Sequence, residues 1–217
     1  MNLKKCIAEF LGTFILIFCA TGAIIINQES QGVIGHAGIA IAVGLLVMVL
    51  IYSFGHISGA HFNPAVSIAF VIAKKFSVKE LVPYIISQTI GAVSASLLLK
   101  FLFPNNQLLG ATIPIGSEMQ SFILEYILTF ILMLVIMNVA HGSKEQGMFA
   151  GLAIGATILM EAMFAGPISG ASMNPVRSFA PALVSGHLEH LWIYLTATTL
   201  GAVSAIPIWI FLTEKKS

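Results

Sequence analysis

One short motif, Ser-Gly-Ala-x-x-Asn-Pro, occurs twice in the chain. The first copy is Ser58-Gly-Ala-His-Phe-Asn-Pro-Ala65 and the second is Ser169-Gly-Ala-Ser-Met-Asn-Pro-Val176. Each Asn opens an apolar stretch of about eleven residues, Asn63–Ala73 or Asn174–Val184, which as a helix is about 16 Å long and crosses only half a bilayer. Two such interrupted segments, at corresponding positions of two halves, indicate a transport site at the bilayer midplane.

The rest of the chain is too apolar for a soluble protein. Hydrophobic residues make up 58% and charged residues only 9%, whereas soluble domains contain about 25% charged residues. Because non-helical backbone at membrane depth is tolerated only inside protein or beside water, we predict an all-α membrane protein with six transmembrane helices and two re-entrant half-helices. A span needs about 20 apolar residues, and the segments that qualify or nearly qualify are Cys6–Ile26, Ala37–Phe54, Leu81–Phe103, Ser121–Val139, Met148–Phe164 and Leu191–Leu212.

The two halves of the chain repeat each other. Ala8-Glu9-Phe-Leu-Gly-Thr-Phe14 resembles Leu124-Glu125-Tyr-Ile-Leu-Thr-Phe130, and the Asn of the motif follows each Glu at a similar distance (63 − 9 = 54; 174 − 125 = 49). Each half has three spans, which is an odd number, so the second half must be inverted in the membrane. We predict one domain over 1–217, built from inverted repeats at about 1–105 and 118–217, whose half-helices enter from opposite sides and meet near the centre.

Basic residues cluster at the termini and in two connections. This is the positive-inside pattern, so we expect both termini in the cytoplasm. There is no basic run that would indicate nucleic acid, and the first apolar segment is interpreted as a span rather than a cleaved signal peptide. With the short tails, this predicts a multi-pass protein of a bacterial inner (plasma) membrane. The clustered residues are Lys4, Lys5, Lys74, Lys75, Lys79, Lys144, Lys215 and Lys216.

Two cysteines, Cys6 and Cys19, lie in the first predicted span. They are 13 positions apart (19 − 6 = 13), or about 20 Å along a helix, which is too far for a disulfide. We expect both to be small buried apolar residues.

The Asn-Pro pairs suit the starts of the half-helices. Asn63 and Asn174 are favourable N-cap residues, and Pro64 and Pro175 fit the first helical position. When the side-chain oxygen of each Asn caps its helix, the NH2 group is expected to be free to donate into a cavity. Two half-helix N-termini that face each other also make the midplane potential positive, which favours neutral solutes with oxygen acceptors and repels cations.

Taken together, these motifs resemble those of the aquaporin, or major intrinsic protein, superfamily. The resemblance covers the whole chain, and its most specific part is Gly-His-Ile-Ser-Gly-Ala-His-Phe-Asn-Pro-Ala-Val at 55–66. It implies a homotetramer in the lipid bilayer, with one passive pore per protomer and no cofactor. It places the Asn-Pro motifs of the pore at Asn63, Pro64, Ala65, Asn174, Pro175 and Val176. It assigns backbone carbonyls that line the pore to Gly59, Ala60, His61, Gly170, Ala171 and Ser172.

Three acidic residues fall within the predicted spans. Glu9 and Glu125 occupy equivalent repeat positions, and we expect them to accept hydrogen bonds from backbone N–H groups of the two re-entrant loops; a proton relay is the alternative. Glu161 has no counterpart in the first half, and we expect it to lie between helices, with a pore-facing position left open. His56 is expected to pack in a cytoplasmic loop.

The resemblance maps an outer constriction onto Val43, Ala162, Ala171 and Arg177. A charge within the membrane is costly and usually functional, and the family's Arg donates hydrogen bonds to the solute and opposes cations and protons. Strict water channels of the family carry a large aromatic residue at the first position and His at the second, and this chain has neither. Glycerol facilitators carry Asp where this chain has Ser178, which is the water-channel type.

The segment 164–178 resembles the nodulin-26-like branch and its bacterial relatives. That branch conducts small uncharged solutes, including glycerol, urea and metalloid acids such as boric, silicic or arsenous acid. Val176 replaces the more usual Ala of the second motif, a departure that also occurs in that branch. It adds two carbon atoms where the half-helices touch.

Three hypotheses about function follow. The first is a passive channel for small neutral polyhydroxy solutes and water that excludes ions and protons, and the second is a channel mainly for water. The third is a proton-coupled transporter that uses Glu9, Glu125 and Glu161. We do not expect an enzyme, because no metal cluster or nucleophile–base arrangement stands out in the sequence and Asp is absent from it altogether.

Overall fold

A computed structural model describes residues 2–214 and shows helices joined by loops within that range. Six of the helices are long and apolar enough to span a membrane, as predicted. Two more, α3 and α8, have 9 and 11 residues and begin directly after Asn63 and Asn174. The helices are α1 Leu3–Glu29, α2 Gly35–Ser58, α3 Pro64–Ile72, α4 Val78–Leu102, α5 Glu118–Ala140, α6 Lys144–Met148, α7 Ala150–Ser169, α8 Pro175–Ser185 and α9 Leu191–Thr213.

The packing of the helices follows the sequence repeat. In the first half α1 packs on α2 and α4, and in the second half α5 packs on α7 and α9 in the same way. The half-helices cross between halves: α3 also packs on α9, and α8 also packs on α4. This exchange brings the starts of α3 and α8 into contact at the centre of the bundle.

Helices α2 and α7 come from different halves and approach each other closely. A Cβ atom on Gly44 would lie 2.7 Å from the carbonyl oxygen of Gly155, and one on Gly155 would lie 2.6 Å from that of Gly44. Because a side chain at either position would force the backbones apart, the two glycines allow this close helix contact. The same helices carry Val43 and Ala162, so the contact sets the distance between those two residues.

Helix α7 extends beyond its predicted end. The predicted span ends at Phe164, but the helix continues to Ser169 and contains Pro167. Pro167 has no N–H group to donate to the carbonyl of Met163, which is four residues earlier. The His36 Nε2 atom lies 2.7 Å from that carbonyl oxygen and replaces the missing donor.

The predicted start of the fifth span was also displaced. Met148 belongs to α6, a short helix that the hydropathy pattern did not predict. A capping box starts this helix: the Ser143 hydroxyl accepts from the Gln146 N–H at 3.3 Å, and the Gln146 side chain accepts from the Ser143 N–H at 2.7 Å. Capping is a local side-chain effect that a search for long apolar runs does not detect.

The two ends of the described chain lie at the same end of the bundle. The Lys5 Nζ atom is 3.3 Å from the Glu80 carboxylate at the start of α4. Lys75, in the connection before α4, lies over the ring of Trp209 near the end of α9, 5.7 Å from its centroid. Two lysines of the predicted cluster, Lys5 and Lys75, thus lie at this end of the bundle, while Lys215 and Lys216 lie outside the described residues.

The two cysteines of α1 differ in exposure. Cys6 is buried, as predicted, but Cys19 is exposed, which corrects the prediction. Consecutive residues on a helix point about 100° apart. Because the neighbouring Ala20 lines the central cavity, Cys19 lies off that face on the outer surface of the bundle.

Candidate functional site

A cavity of about 730 Å³ runs between the two halves of the protein. Its lining includes Gln28 and His36 at one end and His56 and Ala140 at the other. The end with Gln28 and His36 is on the side of Arg177, and we call it the Arg177 mouth; the other end is the His56 mouth. Two loops, which precede α3 and α8, line the middle of the cavity.

Both loops have the same unusual backbone. In the first, Gly59, Ala60 and Phe62 have φ angles of 89°, 52° and 49°; in the second, residues 170, 171 and 173 have φ angles of 86°, 42° and 53°. Residues other than Gly seldom adopt this left-handed conformation, and it does not propagate a regular hydrogen-bond pattern. Backbone carbonyls are therefore left available along the loops. The residues predicted to supply them all line the cavity: Gly59, Ala60, His61, Gly170, Ala171 and Ser172.

Glu9 holds the first loop in place. Its carboxylate accepts hydrogen bonds from the Ser58 hydroxyl at 2.6 Å, from the backbone N–H groups of His61 and Phe62 at 3.0 and 2.7 Å, and from the Gln88 amide at 2.8 Å. The carboxylate thereby replaces the hydrogen bonds that the loop backbone cannot make to itself.

Glu125 does the same for the second loop. It accepts from the Ser169 hydroxyl at 2.7 Å and from the backbone N–H groups of Ser172 and Met173, both at 2.9 Å. The structure thus places Glu9 and Glu125 in the loop-supporting position predicted for them. Their oxygens are occupied by fixed protein donors, which gives no support to the alternative of a proton relay.

Two tyrosines complete this support and were missed in the sequence. The Tyr84 hydroxyl donates to the Ser58 carbonyl at 2.8 Å, and the Tyr194 hydroxyl donates to the Ser169 carbonyl at 2.7 Å. The signal was present, because each Tyr follows the Asn of its half at nearly the same distance (84 − 63 = 21; 194 − 174 = 20). The equivalent positions become apparent only when the repeat is extended beyond the Asn-Pro motif.

Asn63 and Asn174 cap their half-helices and also join the two halves. Their side-chain oxygens accept from the N–H groups of Ala65 at 2.9 Å and Val176 at 3.1 Å. The Asn63 NH2 group donates to the carbonyl of Met173 at 2.7 Å, and the Asn174 NH2 group donates to that of Phe62 at 2.9 Å. This corrects the expectation that each NH2 group is wholly free: one of its two N–H bonds holds the opposite loop, and the other remains.

The remaining residues of the two motifs pack at the same point. Pro64 and Pro175 occupy the first position of α3 and α8. Ala65 and Val176 are buried, with 0% and 4% of their surfaces exposed. The additional carbon atoms of Val176 are therefore accommodated inside the protein.

The four residues predicted to form a constriction all line the cavity: Val43, Ala162, Ala171 and Arg177. Arg177 is 9% exposed, and its Nη1 atom donates to the carbonyl of Gly110 at 2.8 Å. A guanidinium has five N–H bonds, so this contact orients the group and leaves others for a solute. Gly110 lies in the connection between α4 and α5, and no sequence motif marks its role.

Ser178 is occupied by contacts within the protein. Its hydroxyl lies 2.7 Å from that of Thr112 and 2.6 Å from that of Ser172. These bonds tie the connection before α5 to the second loop and to the start of α8.

The histidines near the His56 mouth have different environments. His56 is exposed in the last turn of α2 and lines the cavity, which corrects the expectation that it packs in a loop. The His61 ring lies 3.0 Å from the Ser67 hydroxyl and packs against Phe70. Burial, and then the charge of Lys75, lower the pKa of His141, which favours the neutral form of its ring.

Glu161 lies beside the pore without lining it. It is 6% exposed, and it is absent from the cavity lining. Within residues 2–214, neither of its carboxylate oxygens has a hydrogen-bond partner. The structure therefore favours a position between helices, as predicted, over one facing the pore.

Comparison with known proteins agrees with this geometry. The sequence pattern of the Major intrinsic protein family matches residues 1–209. Aquaporin NIP1-1 of Arabidopsis thaliana is 46% identical over 222 residues, which cover 98% of this chain and 74% of the relative. Nodulin-26 of Glycine max is 43% identical over 210 residues, which cover 96% of this chain and 77% of the relative.

A solved structure has the same fold. The aquaglyceroporin from Plasmodium falciparum superposes with a TM-score of 0.84 at 27% identity, covering 96% of each chain. The family resemblance and the fold class predicted from the sequence are thereby confirmed, as is the expectation of a membrane channel rather than an enzyme. On these grounds the chain belongs to the major intrinsic protein family, as a multi-pass membrane channel of the aquaporin and aquaglyceroporin type.

Proposed function

We propose that this channel passively conducts small uncharged solutes, together with water, and excludes ions and protons. The observation that carries the proposal is the composition of the constriction: Val43, Ala162 and Ala171 are small or medium-sized apolar residues beside the single donor group of Arg177. Such a ring lacks the bulky side chains that would restrict a pore to water. The solutes of this class are glycerol, urea, and boric, arsenous or silicic acid.

The chemistry of the walls supports the same proposal. Carbonyls of the two loops supply acceptors on one side of the cavity, and apolar side chains such as Ile154 and Ile158 of α7 line another. A solute that can donate hydrogen bonds exchanges its water partners for these carbonyls as it passes. Cations are opposed by the N-termini of α3 and α8 and by the charge of Arg177.

The same proposal includes an orientation and an assembly. The lysine cluster lies at the end of the bundle away from the Arg177 mouth, so by the positive-inside rule we place the termini in the cytoplasm and the Arg177 mouth outside. The two repeats, at about 1–105 and 118–217, form one channel domain. The protein is proposed to act as a homotetramer in a plasma membrane, as the resemblance implied.

Stopped-flow light scattering on proteoliposomes tests the proposal, with water, glycerol and arsenous acid compared in one preparation. Solute permeability well above that of empty liposomes is expected. If only water permeability rises, the channel is mainly a water channel. If an imposed pH gradient drives solute accumulation, the protein is a proton-coupled transporter instead.

Replacing Ala162 with His tests the constriction directly. Imidazole occupies space that the methyl group of Ala162 leaves open, so glycerol permeability should fall towards that of empty liposomes while water still passes. The matched control is Ala156→His on the exposed face of the same helix, for which both permeabilities should equal those of the wild type. Unchanged glycerol flux through Ala162→His would show that Ala162 does not limit passage.

A further inference from the structure

The geometry points to a solute-binding position at the Arg177 mouth, formed by the imidazole of His36 and the side-chain amide of Gln28. It would bind a small neutral molecule that carries both a hydrogen-bond donor and an acceptor, such as a polyol, before that molecule reaches Arg177. The inference rests on the proposed function, which it extends from the constriction to the entrance.

The hydrogen bond to Met163 determines which nitrogen of His36 is available. A carbonyl oxygen can only accept, so the Nε2 atom, 2.7 Å from the Met163 oxygen, must carry the proton. In a neutral imidazole the other nitrogen is then an acceptor. The Nδ1 atom receives no hydrogen bond from the part of the chain that the structure describes, and the residue lines the cavity.

The position of this ring is set from both sides. On α7, a Cβ atom on Gly166 would lie 2.6 Å from the His36 Cε1 atom, so the ring rests against the glycine, about one turn beyond Ala162. On α2, the Asn27 side chain accepts from the N–H of Gly35 at 2.7 Å and fixes the start of the helix just before His36. The His36 ring is therefore held between α2 and α7, the helices that also carry Val43 and Ala162 of the constriction.

Gln28 supplies a donor on the same mouth. Its side-chain oxygen accepts from the amide of Asn106 at 3.1 Å, which leaves the NH2 group of Gln28 to donate elsewhere. Asn106 is only 6% exposed, and it is itself held by the N–H of Leu109, which donates to its side-chain oxygen at 2.8 Å. The buried Asn thus orients the exposed Gln, and Gln28 also lines the cavity.

A fixed acceptor and a fixed donor at one entrance match the hydrogen bonding of a hydroxylated solute. One hydroxyl group of a polyol can donate to the His36 Nδ1 atom and another can accept from the Gln28 NH2 group, so that the solute replaces part of its hydration before it enters the narrower region. Passage requires binding that is favourable enough for entry yet weak enough for release. One or two hydrogen bonds between the solute and uncharged side chains, at a mouth that is open to water, are weak enough to meet that requirement.

The test compares glycerol and water permeability in proteoliposomes that contain wild-type protein, His36→Phe, Gln28→Leu or His187→Phe. Both substitutions at the mouth retain bulk and remove the polar atoms. The control, His187, lies outside the cavity lining and contacts Ser185. At low glycerol concentration, the glycerol-to-water permeability ratio should fall about two- to tenfold in each mouth variant, as expected for the loss of one hydrogen bond, and should be unaffected in the control.

The outcomes separate this inference from the proposed function. If wild-type protein conducts glycerol but both mouth variants keep the wild-type ratio, the binding position is wrong and the proposed function stands. If wild-type protein conducts water but no glycerol, urea or arsenous acid, both are wrong. If His36→Phe does not fold, because α7 loses the donor to Met163, Gln28→Leu decides: a lowered ratio supports the binding position, and an unchanged ratio overturns it.

Discussion

Arg177 shows how a charged side chain is held inside this helical bundle. Its guanidinium is nearly buried, and one of its nitrogens is held by the carbonyl of Gly110. That contact fixes the direction of the group while its charge remains next to the pore. Substitutions of Arg177 can therefore separate the effect of its charge from the effect of the orientation of its guanidinium.

We predict that Arg177→Val raises proton or cation leak. Removing the charge lowers the electrostatic barrier that a cation meets at the constriction. The measurement is the collapse of an imposed pH or potassium gradient in proteoliposomes, followed with an enclosed dye. Arg177→Lys is the matched control, because it keeps the charge but loses the planar group, and its leak should remain low; equal leak in wild type and Arg177→Val would contradict the barrier role.

We predict that mercurials do not block the wild-type pore. The chain has two cysteines: Cys6 is buried and Cys19 is exposed on α1, and neither lines the cavity. The family resemblance implies that Ala171, in the second loop, occupies the position where mercury-sensitive relatives carry Cys. Water flux measured before and after a mercurial should be equal for wild type, whereas Ala171→Cys should become sensitive; a wild-type block that Cys6→Ala with Cys19→Ala abolishes would refute this prediction.

At the scale of elements, the half-helices depend on loops that cannot support themselves. Each loop contains three residues in the left-handed region, a conformation that costs on the order of 1–3 kcal/mol for a residue other than Gly. A carboxylate and a tyrosine hydroxyl hold each loop from neighbouring spans. The spans therefore do more than enclose the pore, because they maintain the backbone that lines it.

We predict that Tyr84→Phe and Tyr194→Phe each destabilise the protein by about 1–3 kcal/mol, since each leaves a buried carbonyl without its donor. Because the two tyrosines perform the same function in the two halves, their effects should be similar. Thermal unfolding in detergent measures them as a lowered Tm. Tyr126→Phe is the control, since no hydrogen bond of its hydroxyl occurs in the described structure; a normal Tm for both loop variants would show that the carboxylates alone suffice.

In the whole molecule, the two halves form the pore jointly. Asn63 and Asn174 donate to the opposite loops, α3 and α8 pack on helices of the other half, and α2 meets α7 at Gly44 and Gly155. A change at this last contact moves Val43 and Ala162 apart. The width of the constriction is thus a property of how the halves fit together.

We predict that Gly155→Ala lowers stability by about 1–3 kcal/mol, the usual cost of overpacking, and raises the permeability ratio of glycerol to water. The control is Gly22→Ala on α1, where a Cβ atom would lie an ordinary 3.6 Å from the nearest atom, in Leu99. There the better helix propensity of Ala should leave stability equal or raised by up to about 1 kcal/mol. Equal Tm values for the two variants would contradict the close contact of α2 and α7.

Several predictions from the sequence were wrong because the ends of helices and the outward-facing side of a span depend on how the helices pack. The fifth span is predicted to end at Phe164, whereas α7 continues to Ser169, and the distant His36 satisfies the Met163 carbonyl that Pro167 leaves without a donor. Cys19 was expected to be buried because apolar composition does not reveal which face of a span looks outward. His56 was assigned to a loop because the apolar run ended before it, whereas α2 continues to Ser58.

Hydrophobic length, capping and short motifs are local properties of the chain, so the six spans, the two half-helices, their caps and the inverted repeat could be predicted from the sequence. It also indicated the acids Glu9 and Glu125, since the repeat marks them in both halves. The groups that satisfy the loops and Arg177, namely Tyr84, Tyr194 and Gly110, become apparent only when the helices are packed, as does the position of His36 and Gln28 along one mouth of the cavity. These contacts join residues that are far apart in the chain, and hydrogen bonds of that kind depend on helix packing that no local pattern encodes.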